Sequence, residues 1–76
     1  MLLVIEPKFM VFTYHNNQRY YLLKDGSLAL LNAVSFDKYR SYKRKSNARK
    51  IALNLTRNCG YRQQFSVIQV FFNKIP

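Results

Sequence analysis

Acidic residues are scarce in this chain of 76 residues. Three Asp and Glu residues stand against 13 Lys and Arg residues, which gives a formal net charge of +10 at pH 7. Two of the three acids have structural explanations, because Asp25 belongs to a predicted turn and Asp37 begins a predicted helical segment. The sequence therefore argues against catalysis by paired carboxylates.

Cysteine and histidine each occur once, as Cys59 and His15. A single cysteine excludes an intramolecular disulfide and favours a reducing compartment, so we expect a cytoplasmic protein. One His and one Cys on distant parts of the chain do not supply a zinc site, and the two glycines, which have turn or cap positions, leave no glycine-rich phosphate loop. No metal or other cofactor is predicted.

Long hydrophobic runs and tryptophan are also missing. The apolar run 2–5 has no basic region before it and is too short for a signal peptide or a membrane span, so we interpret it as a strand. The best amphipathic helix, described below, carries small residues rather than Trp or Phe, unlike helices that bind membrane surfaces. We expect a soluble protein with no membrane partner.

Apolar residues nevertheless make up 49% of the chain and aromatic residues 16%, which is too apolar for a disordered tail. We predict a single basic α+β domain over residues 1–76. A domain of this size is only marginally able to bury enough surface to fold alone, and a homodimer would ease that constraint.

The first half of the chain has the pattern of an antiparallel meander. Glu6-Pro7 predicts a break after the first run, which would leave run 2–5 as an additional edge strand, because proline cannot donate a ladder hydrogen bond. Segments 8–14 and 19–23 then form a candidate hairpin around a polar cluster at 15–18.

Two further strands are predicted, one in each half of the chain. Lys24-Asp25-Gly26-Ser27 indicates a tight two-residue hairpin turn, since Asp-Gly supplies positive φ angles, and 28–34 is the returning strand. Segment 64–72 is apolar on both alternating faces, which predicts a central strand or one that a dimer partner covers.

A helix is predicted over 46–58. Apolar residues recur at helical spacing from Ala48 through Ile51, Ala52 and Leu55 to Cys59. Ser46 or Asn47 is the candidate N-cap, and Gly60 is placed to end the helix in the left-handed conformation. The predicted fold is thus a small antiparallel sheet of about four strands packed by one main amphipathic helix, in the order β-β-β-α-β.

The segment 36–44 has two interpretations. Phe36, Tyr39 and Tyr42 also recur at helical spacing, but in a continuous helix they would point away from the Ile51/Leu55 stripe. Either a short extra helix at 36–44 breaks near Lys45-Ser46, or one long helix exposes a basic, aromatic face. We favour the break, because the long helix would expose two turns of aromatic residues.

The charge is distributed unevenly. Residues 1–37 contain three basic and three acidic residues, whereas residues 38–76 contain ten basic residues and no acid. Such asymmetry sets up a one-sided positive potential that attracts nucleic acid or an acidic protein surface. The densest part is the basic segment 38–50, which includes two tyrosines suited to stacking on bases. Candidate residues for binding nucleic acid or an acidic partner are Lys38, Tyr39, Arg40, Tyr42, Lys43, Arg44, Lys45, Arg49, Lys50, Arg57 and Arg62.

Two resemblances bear on the partner. The meander with its Lys24–Ser27 turn, the basic stretch and the helix 46–58 resemble the arm-type DNA-binding domains of phage integrases over residues 9–58, although strand 64–72 departs from that pattern. The size, the single helix on a small sheet and the Ala48–Ala52 helix run are similar to anti-CRISPR proteins, the phage-encoded inhibitors of a host defence complex. These resemblances imply DNA binding and protein binding respectively.

Three functions follow, in order of preference. The first is binding of DNA or RNA through phosphate contacts, without a visible base-reading motif. The second is a protein-interaction module of the inhibitor type, which uses the basic surface or an exposed sheet edge. The third is a metal-independent ribonuclease toxin, in which His15 and Arg62 would act in general acid–base chemistry and charge stabilisation.

Overall fold

A computed structural model describes residues 4–74 of the chain, with side chains described for 7–71. Four strands, one α-helix and a short 3₁₀ helix follow in the predicted β-β-β-α-β order, so the α+β fold is confirmed. The elements are β1 (Val4–His15), β2 (Gln18–Leu22), β3 (Leu28–Leu30), the 3₁₀ helix (Phe36–Lys38), α1 (Lys45–Asn58) and β4 (Phe65–Lys74).

The strands form one antiparallel sheet in the order β3-β2-β1-β4. β1 is long enough to pair with β2 near its end, where Phe12 lies opposite Tyr21, and with β4 along ten residue pairs, where Met10 lies opposite Ile68. Of the two interpretations of 64–72, the central strand is therefore wrong, because β4 lies at the edge; the one in which a dimer partner covers it stays a prediction. The first strand is central instead of an added edge, and residues 2 and 3 lie outside the described residues.

Pro7 lies inside β1, so the predicted break at Glu6-Pro7 is also wrong. The backbone N–H and carbonyl of Phe9 both bond to Tyr42, on the side of β1 away from β4. Residues two positions apart on a strand direct their backbone groups to the same side, so the nitrogen of Pro7 also faces away from β4. The pairing of Pro7 with Phe71 therefore needs no hydrogen bond from the proline. The proline thus removes no bond from the β1–β4 ladder.

Two hairpins join the first three strands. Asn16 and Asn17 have φ angles of 52° and 66°, as a two-residue type I′ turn requires, and they confirm the hairpin predicted around 15–18. At the second hairpin the Leu23 N–H donates to the Ser27 carbonyl and the Gly26 N–H to the Leu23 carbonyl, which makes a three-residue loop. The turn is where it was predicted, but it is not a two-residue turn, and Gly26 supplies the positive φ of 91°.

The strand after this turn is shorter than predicted, since β3 ends at Leu30 and not at residue 34. The interpretation with a break before the main helix is confirmed, but the extra helix spans only Phe36–Lys38. From Tyr39 the backbone is extended and forms isolated bridges, Tyr39 with Leu23 and Tyr42 with Phe9. Residues 39–42 therefore run beside the sheet.

Helix α1 begins at Lys45, and its N-cap residue is Arg44, which makes no side-chain capping bond. The predicted caps, Ser46 and Asn47, lie within the first turn instead. At the other end Gly60 has a φ of 66°, its N–H donates to the Arg57 carbonyl, and the Tyr61 N–H donates to the Thr56 carbonyl. This pattern is a Schellman motif and confirms the role of Gly60.

Both faces of the sheet are covered in part. On one face α1 packs Ala48 and Ala52 against Val11 and Leu22, with Ile51 and Leu55 beside them. On the other face the buried cluster contains Met10, Phe12, Tyr21, Leu23 and Tyr39, so it is closed by the segment before α1. The small alanines let the helix lie close to the sheet, which fixes where its polar side chains project.

Candidate functional site

The basic segment 38–50 begins in the 3₁₀ helix, runs beside the sheet, and continues into the first two turns of α1. Most of its cations, and the two predicted further along the chain, have exposed side chains: Lys38, Lys43, Arg44, Lys45, Arg49, Lys50, Arg57 and Arg62. Residues 38–62 contain no acid, although Lys38 lies close enough to Asp25 to contribute to lowering the pKa of that carboxyl. Apart from Arg40, the predicted cationic residues are therefore presented to solvent.

Arg40 differs from these residues because it is half-buried and holds the segment in place. Its guanidinium donates to the Lys24 carbonyl at 2.7 Å, and its backbone N–H donates to the Leu22 carbonyl at 3.0 Å. Tyr42 and Phe9 exchange two backbone hydrogen bonds, both 2.8 Å, which attach the segment to β1. The sheet thus fixes the position of Lys43 and Arg44, which follow directly.

The start of α1 concentrates positive charge where a helix disfavours it. Lys43, Arg44 and Lys45 surround the helix N-terminus, and its first turn contains no acid. Unpaired N–H groups make this end of a helix electropositive, so nearby cations are destabilising by about 0.3–1 kcal/mol each. A bound anion would relieve that repulsion.

The cations on α1 fall on two stripes. Lys45 and Arg49 are one turn apart and line a groove between the helix and β4. Lys50 and Arg57 are seven residues apart, so they share one stripe, which differs from that of Lys45 and Arg49. The buried Ala48 and Ala52 lie on the side of the helix that faces the sheet.

Tyr39 was predicted to stack on bases, but its ring is in the core. Its side chain is 3% exposed, its hydroxyl donates to the Leu30 carbonyl, and its ring lies 6.3 Å edge-on from Tyr21. A base cannot reach this ring without opening the core, so the predicted role does not fit this fold.

Tyr42 is likewise a packing residue. It is half-buried in the cluster under α1, and its hydroxyl is buried without a hydrogen-bond partner in the described part of the chain. Its ring packs beneath the helix, and the side chain is less deeply buried than that of Tyr39. The stacking role of Tyr42 stays a prediction.

Tyr61 was not predicted and is the most exposed large hydrophobic side chain in the described residues, at 68%. It has a positive φ of 62° and is held by the bond from its N–H to the Thr56 carbonyl at 3.0 Å. It follows Gly60, the residue that ends α1, and so belongs to the connection between α1 and β4. Connecting segments run over the surface, and this is the sequence signal for its exposure.

The groove beside α1 has a volume of about 760 Å³. Residues of α1 from Lys45 to Thr56 form one wall, the start of β4 forms the other, and Tyr61, from the connection between them, also lines the groove. Thr13, 1% exposed, donates to the Gln64 carbonyl at 2.8 Å and anchors the β4 side to β1. Among the lining residues are Lys45, Arg49, Leu53, Tyr61, Gln64 and Phe65.

A second set of aromatic residues lies on the face of the sheet away from α1. The Arg19 guanidinium donates to the Tyr14 and Tyr21 hydroxyls and stacks 4.6 Å above the Phe12 ring. The hydrogen bonds to the two tyrosines raise the pKa of Arg19 above its usual value. Tyr14 is 56% exposed on this face.

His15, considered for the ribonuclease mechanism, is exposed at the end of β1, with its ring 6.0 Å from that of Tyr20. Cys59 is a free cysteine at the end of α1, and its Sγ lies 3.1 Å from the Gln63 carbonyl. In the described part of the chain, no group of three or more His, Cys, Asp and Glu residues is placed to hold a metal ion.

No protein-family model matches this chain, and comparisons with curated proteins and with solved structures find no match. Within residues 4–74, no helix is both long and apolar enough to cross a membrane.

Proposed function

We propose that this chain is a small nucleic-acid-binding protein that contacts the phosphate backbone through the basic segment 38–50. The observation that carries the proposal is the separation of charge: ten basic residues and no acid in residues 38–76, against a balanced first half. Cations held in place along a surface neutralise phosphates and release condensed counterions, which supplies most of the free energy of non-specific binding.

The arrangement of the cations supports this proposal in two ways. Lys43, Arg44 and Lys45 repel one another and the helix N-terminus, and a phosphate at that position would remove the repulsion. Backbone bonds from Arg40 and Tyr42 hold the segment on the sheet, so less conformational entropy is lost when it binds.

The proposal is tested by the affinity of the purified protein for labelled DNA and RNA over a series of salt concentrations. We expect affinity to fall steeply with salt, and the triple variant K43A/R44A/K45A to weaken binding to all sequences alike. Thermal unfolding of the variant checks that the fold is intact. Binding by the triple variant equal to that of the wild type would refute the assignment of the segment.

A protein-interaction module is the second candidate, and the open edge of β4 favours it. Within the described residues β4 pairs only with β1, and residues 65–73 contain no charge and no proline. Natural edge strands usually carry such features to prevent pairing with other chains. A strand of an acidic partner protein, or β4 of a second copy, would extend the sheet here.

The register of β4 gives a selective test of the second candidate. Phe9 lies opposite Gln69, but its N–H points toward Tyr42, so this pair makes no hydrogen bonds between β1 and β4. In such a pair both residues direct their N–H groups outward, and the N–H of Gln69 therefore points to the open edge. Gln69→Pro removes that N–H without breaking the β1–β4 ladder, whereas Ile68→Pro breaks it. Strand addition predicts that Gln69→Pro abolishes a complex or dimer seen by light scattering; a complex unaffected by Gln69→Pro excludes this edge.

A further inference from the structure

The groove between α1 and β4 combines two cations of the basic segment 38–50 with two aromatic residues that the proposed phosphate contacts leave unexplained. Its helical wall carries Lys45 and Arg49, its far wall carries the half-buried Phe65, and Tyr61 also lines it, with most of its ring exposed. The residues that sequence reasoning assigned to stacking, Tyr39 and Tyr42, are packed elsewhere. We propose that this groove binds a single strand of nucleic acid, with phosphates on Lys45 and Arg49 and a base stacked on Tyr61.

This proposal rests on the proposed function and specifies its ligand. The two cations are about 6 Å apart along the helix axis at 1.5 Å per residue, a spacing that lets each engage a separate phosphate of an extended strand. No acid lies in residues 38–76, so nothing in this half of the chain opposes a polyanion entering the groove. Charge thus selects an anionic occupant over an apolar peptide.

A single strand fits the site better than a duplex. The volume of about 760 Å³ is within the range of sites that hold small organic molecules, so it can accommodate unpaired bases. An exposed aromatic ring can stack only on a base whose face is free, and paired bases in a duplex already cover each other's faces. Leu53, 48% exposed on the helical wall, adds apolar surface suited to bases rather than to phosphates.

The site is also held in shape before binding. Thr56 links the last turn of α1 to the first residue of β4, since its hydroxyl accepts a hydrogen bond from the Phe65 N–H at 3.0 Å. Its carbonyl holds the backbone of Tyr61. Because the two walls and the stacking ring share one anchor residue, their spacing is fixed and binding needs little rearrangement.

The first test uses fluorescence anisotropy with a labelled oligothymidylate of about 16 nucleotides, the upper end of the footprint of one small single-strand-binding domain. Tyr61→Ala should weaken this binding roughly 5- to 150-fold, the range found for loss of one stacked base, while Tyr61→Phe retains it. Tyr14→Ala is the matched control, because Tyr14 is 56% exposed on the opposite face of the sheet. Duplex binding should change little in all three variants.

A second pair of variants tests the groove without touching an aromatic ring. Leu53→Glu places a negative charge on the helical wall and should weaken single-strand binding at least severalfold. Leu31→Glu makes the same charge change at a leucine that is also 48% exposed, beyond β3 at the opposite edge of the sheet. It should have a much smaller effect.

The outcomes separate the two proposals. Wild-type protein that binds neither single nor double strands would overturn both. Binding that is lost in K43A/R44A/K45A but unchanged in Tyr61→Ala and Leu53→Glu would keep the proposed function and overturn the groove. Equal losses for single strands and duplexes in Tyr61→Ala, or equal effects of Leu53→Glu and Leu31→Glu, would also overturn the groove.

Discussion

The hydroxyl of Thr56 joins α1 to β4: it donates to the Ala52 carbonyl at 2.8 Å and accepts a hydrogen bond from the N–H of Phe65 at 3.0 Å. Phe65 is the first residue of β4, so this one side chain sets the distance between the helix and the edge strand. The Schellman turn and the residues after it complete the connection, with the Thr13 hydroxyl bonded to the Gln64 carbonyl.

Replacement of Thr56 by valine should destabilise the fold. Val keeps the shape of the side chain but leaves the half-buried N–H of Phe65 without its acceptor, which costs about 1–3 kcal/mol in the free energy of unfolding. Chemical denaturation of wild type and variant measures the difference. Thr56→Ser retains the hydroxyl and should recover most of the loss; a valine variant as stable as the wild type would show that the bond contributes nothing.

Replacement of Tyr42 by phenylalanine should leave stability unchanged or raise it. The Tyr42 hydroxyl is buried without a hydrogen-bond partner in the described residues, and burial of an unpaired hydroxyl has a cost that phenylalanine avoids. The expected gain in the free energy of unfolding is up to about 1 kcal/mol. A clear fall in the unfolding temperature of Tyr42→Phe would indicate that this hydroxyl has a partner in solution.

Replacement of Tyr39 by alanine should unfold the protein or come close to it. The ring is 3% exposed within the cluster that closes the face away from α1, and loss of a buried aromatic ring costs about 3–5 kcal/mol. A domain this small has little more stability than that. Phe36→Ala, at a side chain 52% exposed, is the comparison and should cost much less, as circular dichroism during thermal unfolding can measure.

Asp25 should titrate below its usual pKa of 3.8. The Ser27 hydroxyl, at 2.6 Å, and the Ser27 N–H, at 2.9 Å, both donate to its carboxylate, and these bonds lower the pKa. Because the folded carboxyl has the lower pKa, its stabilisation is present above the unfolded value and is lost as pH falls through the folded value. An NMR titration of Asp25 tests this, and Ser27→Ala should move the midpoint back toward 3.8; a midpoint at or above 3.8 in the wild type would contradict it.

Local features of the sequence predicted local structure well. The α1 stripe, its end at Gly60 and the positions of both hairpin turns depend on residues within a few positions of one another. The exact turn type was missed because Lys24-Asp25-Gly26 fits two hairpin loops that differ by one residue, and only the pairing of Leu23 with Ser27 decides between them.

Long-range features were not predictable in this way. Strand order depends on pairing between distant segments, so the apolar pattern of 65–72 did not reveal that β4 lies at an edge. Tyr39 and Tyr42 show the same limit at the candidate site. Their spacing fits a helix or a basic loop equally well, and only their bridges to Leu23 and Phe9 place their rings in the two core clusters.

The central claim is that nucleic acid binds through phosphate contacts of the basic segment 38–50, and the salt dependence of affinity tests it most directly. We would compare wild type with Lys45→Ala and Lys24→Ala, which each remove one exposed lysine, inside and outside the segment respectively. For a DNA duplex, log affinity falls as log salt rises; Lys45→Ala should make this slope less steep by about 0.9, while Lys24→Ala leaves it unchanged. Equal slopes for all three proteins, or no salt-dependent binding by the wild type, would contradict the claim.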